Sequence, residues 1–233
     1  RRGAERAWQR LTYGAAAPQV DAATQWLLDL QRPGAAVMVL SGNSLEHGML
    51  ELAAMQAHMP YAPITPAYAA MASDLSRLKA MAALLEPAVV FVQSARALEP
   101  AIRTLGDQTW VVCVQDPIDH PRLITWDRLV QTPVTASVGA SVASITHDTV
   151  AKYQFTSGST GTPKAVIVTQ GMLCTAMAMT SQMVQWGDDR PETVLLDWLP
   201  WIEPITPGST PSTPASAQFG ADSGGGGSGN RQR

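Results

Sequence analysis

An α/β fold, with a mostly parallel sheet and helices on both faces, is what this sequence predicts. Helical segments of ten or more residues alternate with short, Val-rich apolar runs, the pattern of strands joined by crossover helices. Those runs are continuously apolar rather than alternating, as strands covered on both faces must be. The chain has 233 residues, 45% apolar and 15% charged. That is enough for one or two domains with a real core.

The elements follow in order. Asp21 to Leu30 places Trp26, Leu27, Leu28 and Leu30 on a helical pattern, and Pro33-Gly34 ends it as a turn. Val37 to Leu40 is the first strand. Asn43, with Glu46 three residues on, is the expected N-cap of a helix to about Met59, with His47 expected on its solvent face. Pro60 and Pro66 bracket a short extended piece, Tyr61 to Thr65. Ser73 is expected to cap a helix through Leu75, Leu78, Met81, Ala82 and Leu85, stopped by Pro87. Val89 to Val92 is a buried strand, Ser94 to Leu105 a helix, and Trp110 to Val114 the next strand.

Residues 116–149 carry Pro117, Pro121 and Pro133 and are expected to be looser, with one small helix near Thr125 to Val130. Ala151 to Phe155 and Ala165 to Thr169 read as two strands around a polar loop. A Met-rich helix from Gly171 to Trp186 and a strand from Thr193 to Leu199 complete this part. The methionines at 172, 177, 179 and 183 are expected to fill a core, or else to line an acyl pocket. After Trp201 the composition changes: 19 of the 32 residues from Ile202 to Arg233 are Gly, Pro, Ser or Thr. Such a segment buries too little to offset its ordering entropy, so a disordered tail is expected over 202–233. Residues 1–201 form the expected domain.

Composition excludes several functions. Sixteen Lys and Arg face nineteen Asp and Glu, for a net charge of −3, and no basic stripe offers itself to nucleic acid. No apolar run approaches the roughly 18 residues of a membrane span. Arg1-Arg2 is followed by no apolar stretch and so is no export signal. His47, His58, His120 and His147 show no metal-ligand spacing. Cys113 and Cys174 sit in apolar settings and are expected to be buried free thiols of a reducing compartment, the cytoplasm.

The informative stretch lies between the strands at 151–155 and 165–169. It runs Thr156, Ser157, Gly158, Ser159, Thr160, Gly161, Thr162, Pro163, Lys164. Five of these residues offer hydroxyls. Gly158 and Gly161 let backbone N–H groups turn into one concavity. Lys164 adds a cation at the far end. Many donors, little steric bulk and one positive charge suit a polyphosphate. The string is not a Walker loop, because Pro163 precedes the lysine and Ala165 follows it.

From Phe155 to Lys164 the string resembles the phosphate-binding signature of the adenylate-forming superfamily: acyl-CoA synthetases, luciferases and peptide-synthetase adenylation domains. Ala165 replaces the usual Gly. Leu11-Thr12-Tyr13, Met55 to Thr65 and Thr169 to Leu173 resemble other family elements in the same order. Ser41 to His47 and Leu196 to Trp201 look most like feruloyl-CoA synthases. The resemblance implies an enzyme that uses ATP and magnesium to turn a carboxylic acid into an acyl-adenylate, then transfers it to coenzyme A. It implies that Thr156 to Lys164 hold the β- and γ-phosphates. Trp198 and Trp201 would bound an aromatic acyl site or simply fill a core layer.

In relatives an Asn-His pair follows the Asp-Trp-Leu-Pro-Trp element; here Ile202-Glu203-Pro204 follows. The family's adenine-binding segment, magnesium-binding Glu, ribose-binding Asp and C-terminal catalytic Lys have no counterpart either. The chain, which begins with Arg, is therefore expected to be an N-terminal ligase fragment with a foreign end, from a frameshift or a split gene. It is expected to be inactive or weak, unless a second chain supplies the missing half. The rival expectations are a non-enzymatic nucleotide- or phosphate-binding module, and a piece that does not fold stably.

Overall fold

The structure is a computed structural model that describes residues 10–70, 75–156 and 164–184. Its elements in chain order are α1 (Tyr13–Asp29), β1 (Val37–Val39), α2 (Leu45–Gln56), β2 (Tyr61–Pro63), α3 (Pro66–Ala70) and α4 (Ser76–Leu85). Then come β3 (Val89–Ser94), α5 (Glu99–Leu105), β4 (Trp110–Gln115), β5 (Leu123–Thr125) and α6 (Trp126–Leu129). The described part ends with α7 (Ala136–Ala143), β6 (Val150–Thr156), β7 (Lys164–Thr169) and α8 (Gln170–Val184). A 3-10 turn over Arg96–Leu98 leads into α5.

The seven strands form one sheet in the order β5-β4-β3-β1-β2-β6-β7. Every neighbouring pair is parallel except β6 with β7. From β1 the chain steps to β2 on one side, then crosses back to β3 on the other and continues outward. The expected α/β architecture is therefore the one observed.

The side-chain period of two divides the sheet between two cores. Val37, Val39, Val89, Phe91 and Val112 face one side, where they meet Val20, Ala23 and Leu27 of α1, Leu50 and Ala53 of α2, and Trp126 and Leu129 of α6. Met38, Val90, Val92, Val111 and Cys113 face the other, against Ala69 of α3, Leu78 and Met81 of α4, and Ala101 and Ile102 of α5. This explains the continuous apolar runs: odd and even residues each need an apolar partner. Each fully buried Leu or Phe contributes about 1.5–3 kcal/mol. Trp26 meets Trp110 edge to face at 5.5 Å, and Phe91 meets Trp126 in the same way at 6.5 Å.

Several expectations are corrected. The first helix starts at Tyr13, not Asp21, and carries Pro18 inside it. Thr12 caps it by accepting from the Ala15 N–H, and the buried face from Val20 to Leu27 holds the helix despite the lost proline hydrogen bond. The second helix is capped by Ser44, one residue after Asn43; Ser44 Oγ accepts from the His47 N–H at 3.0 Å. His47, expected on the solvent face, is fully buried.

Residues 116–149 hold β5 and α7 besides the expected small helix. Gln25 on α1 fixes the start of α7: its Oε1 accepts from the Thr135 N–H at 3.0 Å and from the hydroxyls of Thr135 and Ser137 at 2.8 and 2.9 Å. Ser141 on α7 donates to the Gln56 carbonyl at 2.6 Å.

Cys113 is buried as expected, but Cys174 is exposed, because α8 packs beside β7 at the sheet's edge. For the same reason Met172, Met177 and Met179 are about half exposed among the described residues instead of filling a core. Ser73, Met183's side chain, the expected strand at 193–199, Trp198, Trp201 and the tail lie outside the described residues. No helix among the described residues is long and apolar enough to cross a membrane.

Candidate functional site

The hairpin of β6 and β7 carries the phosphate-loop string. The two strands pair antiparallel from Val150↔Thr169 to Thr156↔Lys164. Backbone pairing at Thr156 and Lys164 sets their Cα atoms roughly 5 Å apart. Ser157 to Pro163, which run between them, lie outside the described residues. The structure thus brings the two ends of the string together at the tip of the hairpin.

This hairpin is an arm as well as a sheet edge. β2 is three residues long, and its register with β6 is given by one pair, Tyr61↔Lys152. From Tyr153 onward β6 runs past that pair with β7 beside it. On β6, Ala151 and Gln154 are buried and Phe155 packs, half-buried, against the second core. On β7, Lys164, Val166 and Ile167 are exposed. Lys164 therefore begins its strand with its ammonium open to solvent and to any ligand beside the hairpin tip.

A buried polar cluster joins α2 to β2, the neighbour of β6 in the sheet. His47 on α2 places Nδ1 3.0 Å from the Gly42 carbonyl oxygen and Nε2 against the Tyr61 hydroxyl on β2. Burial holds the His47 pKa below its ordinary value, only partly countered by the Gly42 hydrogen bond. Tyr61 is pushed well above its ordinary value by burial, with the nearby Glu51 charge adding to the effect. Burial also raises Glu51, and Lys152 on β6 partly offsets this. Sequence reasoning missed this cluster. The one signal available was the Ser44-x-x-His47 spacing of a capped first turn.

A groove of about 440 Å³ sits at the base of β7, lined among others by His147, Asp148, Thr169, Met172, Thr175 and Met179. It is open, and Met172 and Met179 of α8 contribute its apolar wall. Gly171 lies at the crowded turn into α8: a Cβ there would stand 3.1 Å from both the ring and the carbonyl oxygen of His147.

Among the described residues no three His, Cys, Asp or Glu side chains are grouped to hold a metal ion.

Comparison with known proteins places this arrangement. The family described as "AMP-binding enzyme" matches residues 2–202. Among curated relatives, a nonribosomal peptide synthetase of Penicillium fellutanum is 29% identical over 174 residues, which is 73% of this chain and 6% of that protein. The L-proline–[L-prolyl-carrier protein] ligase of Streptomyces coelicolor is 28% identical over 190 residues, 77% of this chain and 34% of the relative. The chain thus spans about a third or less of these relatives' length. Among solved structures, a fatty acyl-adenylate ligase, from a study of the E. coli and L. pneumophila enzymes, shares the fold with a TM-score of 0.61 at 19% identity, over 84% of this chain and 32% of that one. With the family matched across most of its length, the chain belongs to the AMP-binding enzyme family, the adenylate-forming enzymes.

Proposed function

We propose that this chain is the phosphate-handling N-terminal portion of an acid-activating ligase, with Thr156, Ser157, Gly158, Ser159, Thr160, Gly161, Thr162, Pro163 and Lys164 holding the β- and γ-phosphates of ATP. The observation that carries the proposal is the pairing of Thr156 with Lys164. It makes a string rich in hydroxyls and glycine start and finish at one point, beside an exposed lysine. Backbone N–H groups, hydroxyls and a cation converging on phosphate oxygens hold them by charge-assisted hydrogen bonds.

In the reaction proposed, a carboxylate oxygen of the acid attacks the α-phosphorus. A new P–O bond forms, the bond to the bridging oxygen breaks, and pyrophosphate leaves. The loop's part is to position the leaving pyrophosphate and to stabilise the charge that gathers on it. Magnesium would accompany the nucleotide; the described residues supply no ligand set for it, and no step here is assigned to it.

The acid is proposed to be aromatic and of the feruloyl kind, with coenzyme A as acceptor, on the resemblance of residues 41–47 and 196–201. The named relatives include a carrier-protein ligase and a peptide synthetase, so the acceptor is the point on which a carrier-protein reading competes. The cytoplasm is the proposed compartment, in keeping with an exposed free thiol at Cys174.

ATP–pyrophosphate exchange, with and without ferulate, tests the proposal, alongside ATP binding to the parent chain and to Lys164→Ala. Binding that Lys164→Ala weakens supports the phosphate loop. Ferulate-dependent exchange adds adenylation, and transfer to coenzyme A or to a carrier protein then settles the acceptor. Binding without acid-dependent exchange favours a nucleotide-binding module. ATP binding indifferent to Lys164 overturns the assignment of the loop.

A further inference from the structure

β7 stands at one end of the strand order, with β6 as its neighbour among the described residues. The Gln170 N–H donates back to the Thr149 carbonyl, on the β6 side, at 2.9 Å. Backbone groups alternate in direction along an antiparallel strand, so those of Thr169, Ile167 and Ala165 point away from β6. Each of these three residues thus turns one N–H and one C=O toward the outer edge.

The side chains along this edge are bare as well. From Lys164 to Gln182, Gly171 is the one buried residue. Of the ten large apolar side chains exposed among the described residues, five fall in this stretch. Val166 and Ile167, on opposite faces of β7, are 49% and 54% exposed, and Met172, Met177 and Met179 follow on α8. The strand's one charge, Lys164, stands at its start. An edge that is apolar on both faces and carries no charge at its middle is a template for another strand.

We propose that the strand it takes is β7 of a second copy of this chain, added antiparallel across a two-fold axis at Ile167. With Ile167 opposite its own counterpart, Ala165 meets the second copy's Thr169, and Thr169 meets its Ala165. All the outward N–H and C=O groups of these residues are then bonded. A centre at Val166 would instead set Thr169 opposite Pro163, which has no N–H to give. In the Ile167 register the two isoleucines pack on one face, and Val166 packs against the second copy's Val168 on the other.

Charge favours the same arrangement. Antiparallel pairing sends the two Lys164 ammonium groups to opposite ends, where a parallel pair would set them side by side. Each lysine comes beside the second copy's Gln170, next to the groove that Asp148 lines with Thr169 and Gly171. Lys164 and Asp148 are both exposed. In the nucleotide-free chain each copy therefore offers the other a cation and an anion, twice over.

The test is NMR hydrogen exchange on the whole nucleotide-free chain, with sedimentation of the same samples, from about 5 to 500 μM. Sedimentation is expected to show monomer passing to dimer. Protection of the Ala165, Ile167 and Thr169 amides is expected to rise with the dimer fraction. Val166 and Val168, which face β6, are expected to keep theirs at every concentration.

Ile167→Lys would bring two ammonium groups together at the axis and should weaken association at least about tenfold. Melting of the dilute monomer should not change, because that side chain is half exposed. Asp148→Asn should weaken association about two- to fivefold and flatten its salt dependence. A monomer at every concentration would overturn the proposal. So would a dimer that leaves the three amides unprotected. Protection already complete in the dilute monomer, as cover by residues 193–199 of the same chain would give, would overturn it too. All three are read on the parent chain, so a variant that fails to fold leaves the decision intact.

Discussion

Thr156 and Lys164, seven residues apart in the gap between them, are backbone partners at the end of β6 and the start of β7. The lysine side chain is exposed there. It therefore contributes little to folding and is free for an anion. Lys164→Ala is expected to leave the melting temperature within about 1 °C, as surface changes do. It is expected to weaken ATP binding by roughly 1.5–3 kcal/mol, the scale of a charge-assisted hydrogen bond. Calorimetric titration with ATP and a thermal melt on the same samples check both halves.

Glu51 gives a pH dependence of defined sign. Burial raises its carboxyl above 4.5 in the folded chain, and Lys152 offsets only part of that. An acid whose pKa rises on folding binds its proton more tightly when folded. Its contribution is full below the unfolded pKa and is lost as pH rises through the folded value. Glu51→Gln keeps a neutral side chain at every pH. Its stability relative to the parent should improve between pH 4 and pH 7.5. Urea unfolding at the two pH values measures it, and a constant difference would contradict the sign.

Gln25 is a single acceptor serving three donors at the start of α7. Gln25→Ala should cost about 2–3 kcal/mol, since it orphans partly buried donors as well as removing the bonds. Hydrogen exchange should show α7 loosening first, with α1 retained.

Two glycines should respond in opposite senses. At Gly171 a Cβ would meet His147 at 3.1 Å, ring and backbone alike. Gly171→Ala is expected to destabilise by about 1–2 kcal/mol. Gly139, inside α7, has open space around the same position. Gly139→Ala is expected to stabilise by about 0.4–1 kcal/mol through the unfolded chain. Thermal melts of the two variants, side by side, decide it.

Most of the architecture was legible because the strongest strands are runs that only a doubly covered sheet can bury. Val37 to Val39 and Val89 to Val92 announce themselves in this way. β5 did not, because three residues, Leu123 to Thr125, are too few to show a period. α7 did not either: its Ala, Ser, Val and Gly pattern is weak, and it is held by side-chain bonds to Gln25 and Gln56 that lie far away in the chain. Pro18 hid the first two turns of α1, whose stability comes from the core it packs on.

The sequence by itself determined the α/β class, the order of most elements and the make-up of the string from Thr156 to Lys164, rich in hydroxyls and glycine and ending in a lysine. Those follow from local composition and spacing, which need no knowledge of neighbours. Only the tertiary structure decided which strands stand side by side, and so which side chains meet. It put β6 beside β2, with β7 antiparallel at the edge, and set Thr156 across from Lys164. It turned His47 inward to Gly42 and Tyr61, and left Cys174, Met172, Met177 and Met179 facing outward. A helical face is inner or outer according to what packs on it, and that is a property of the whole sheet.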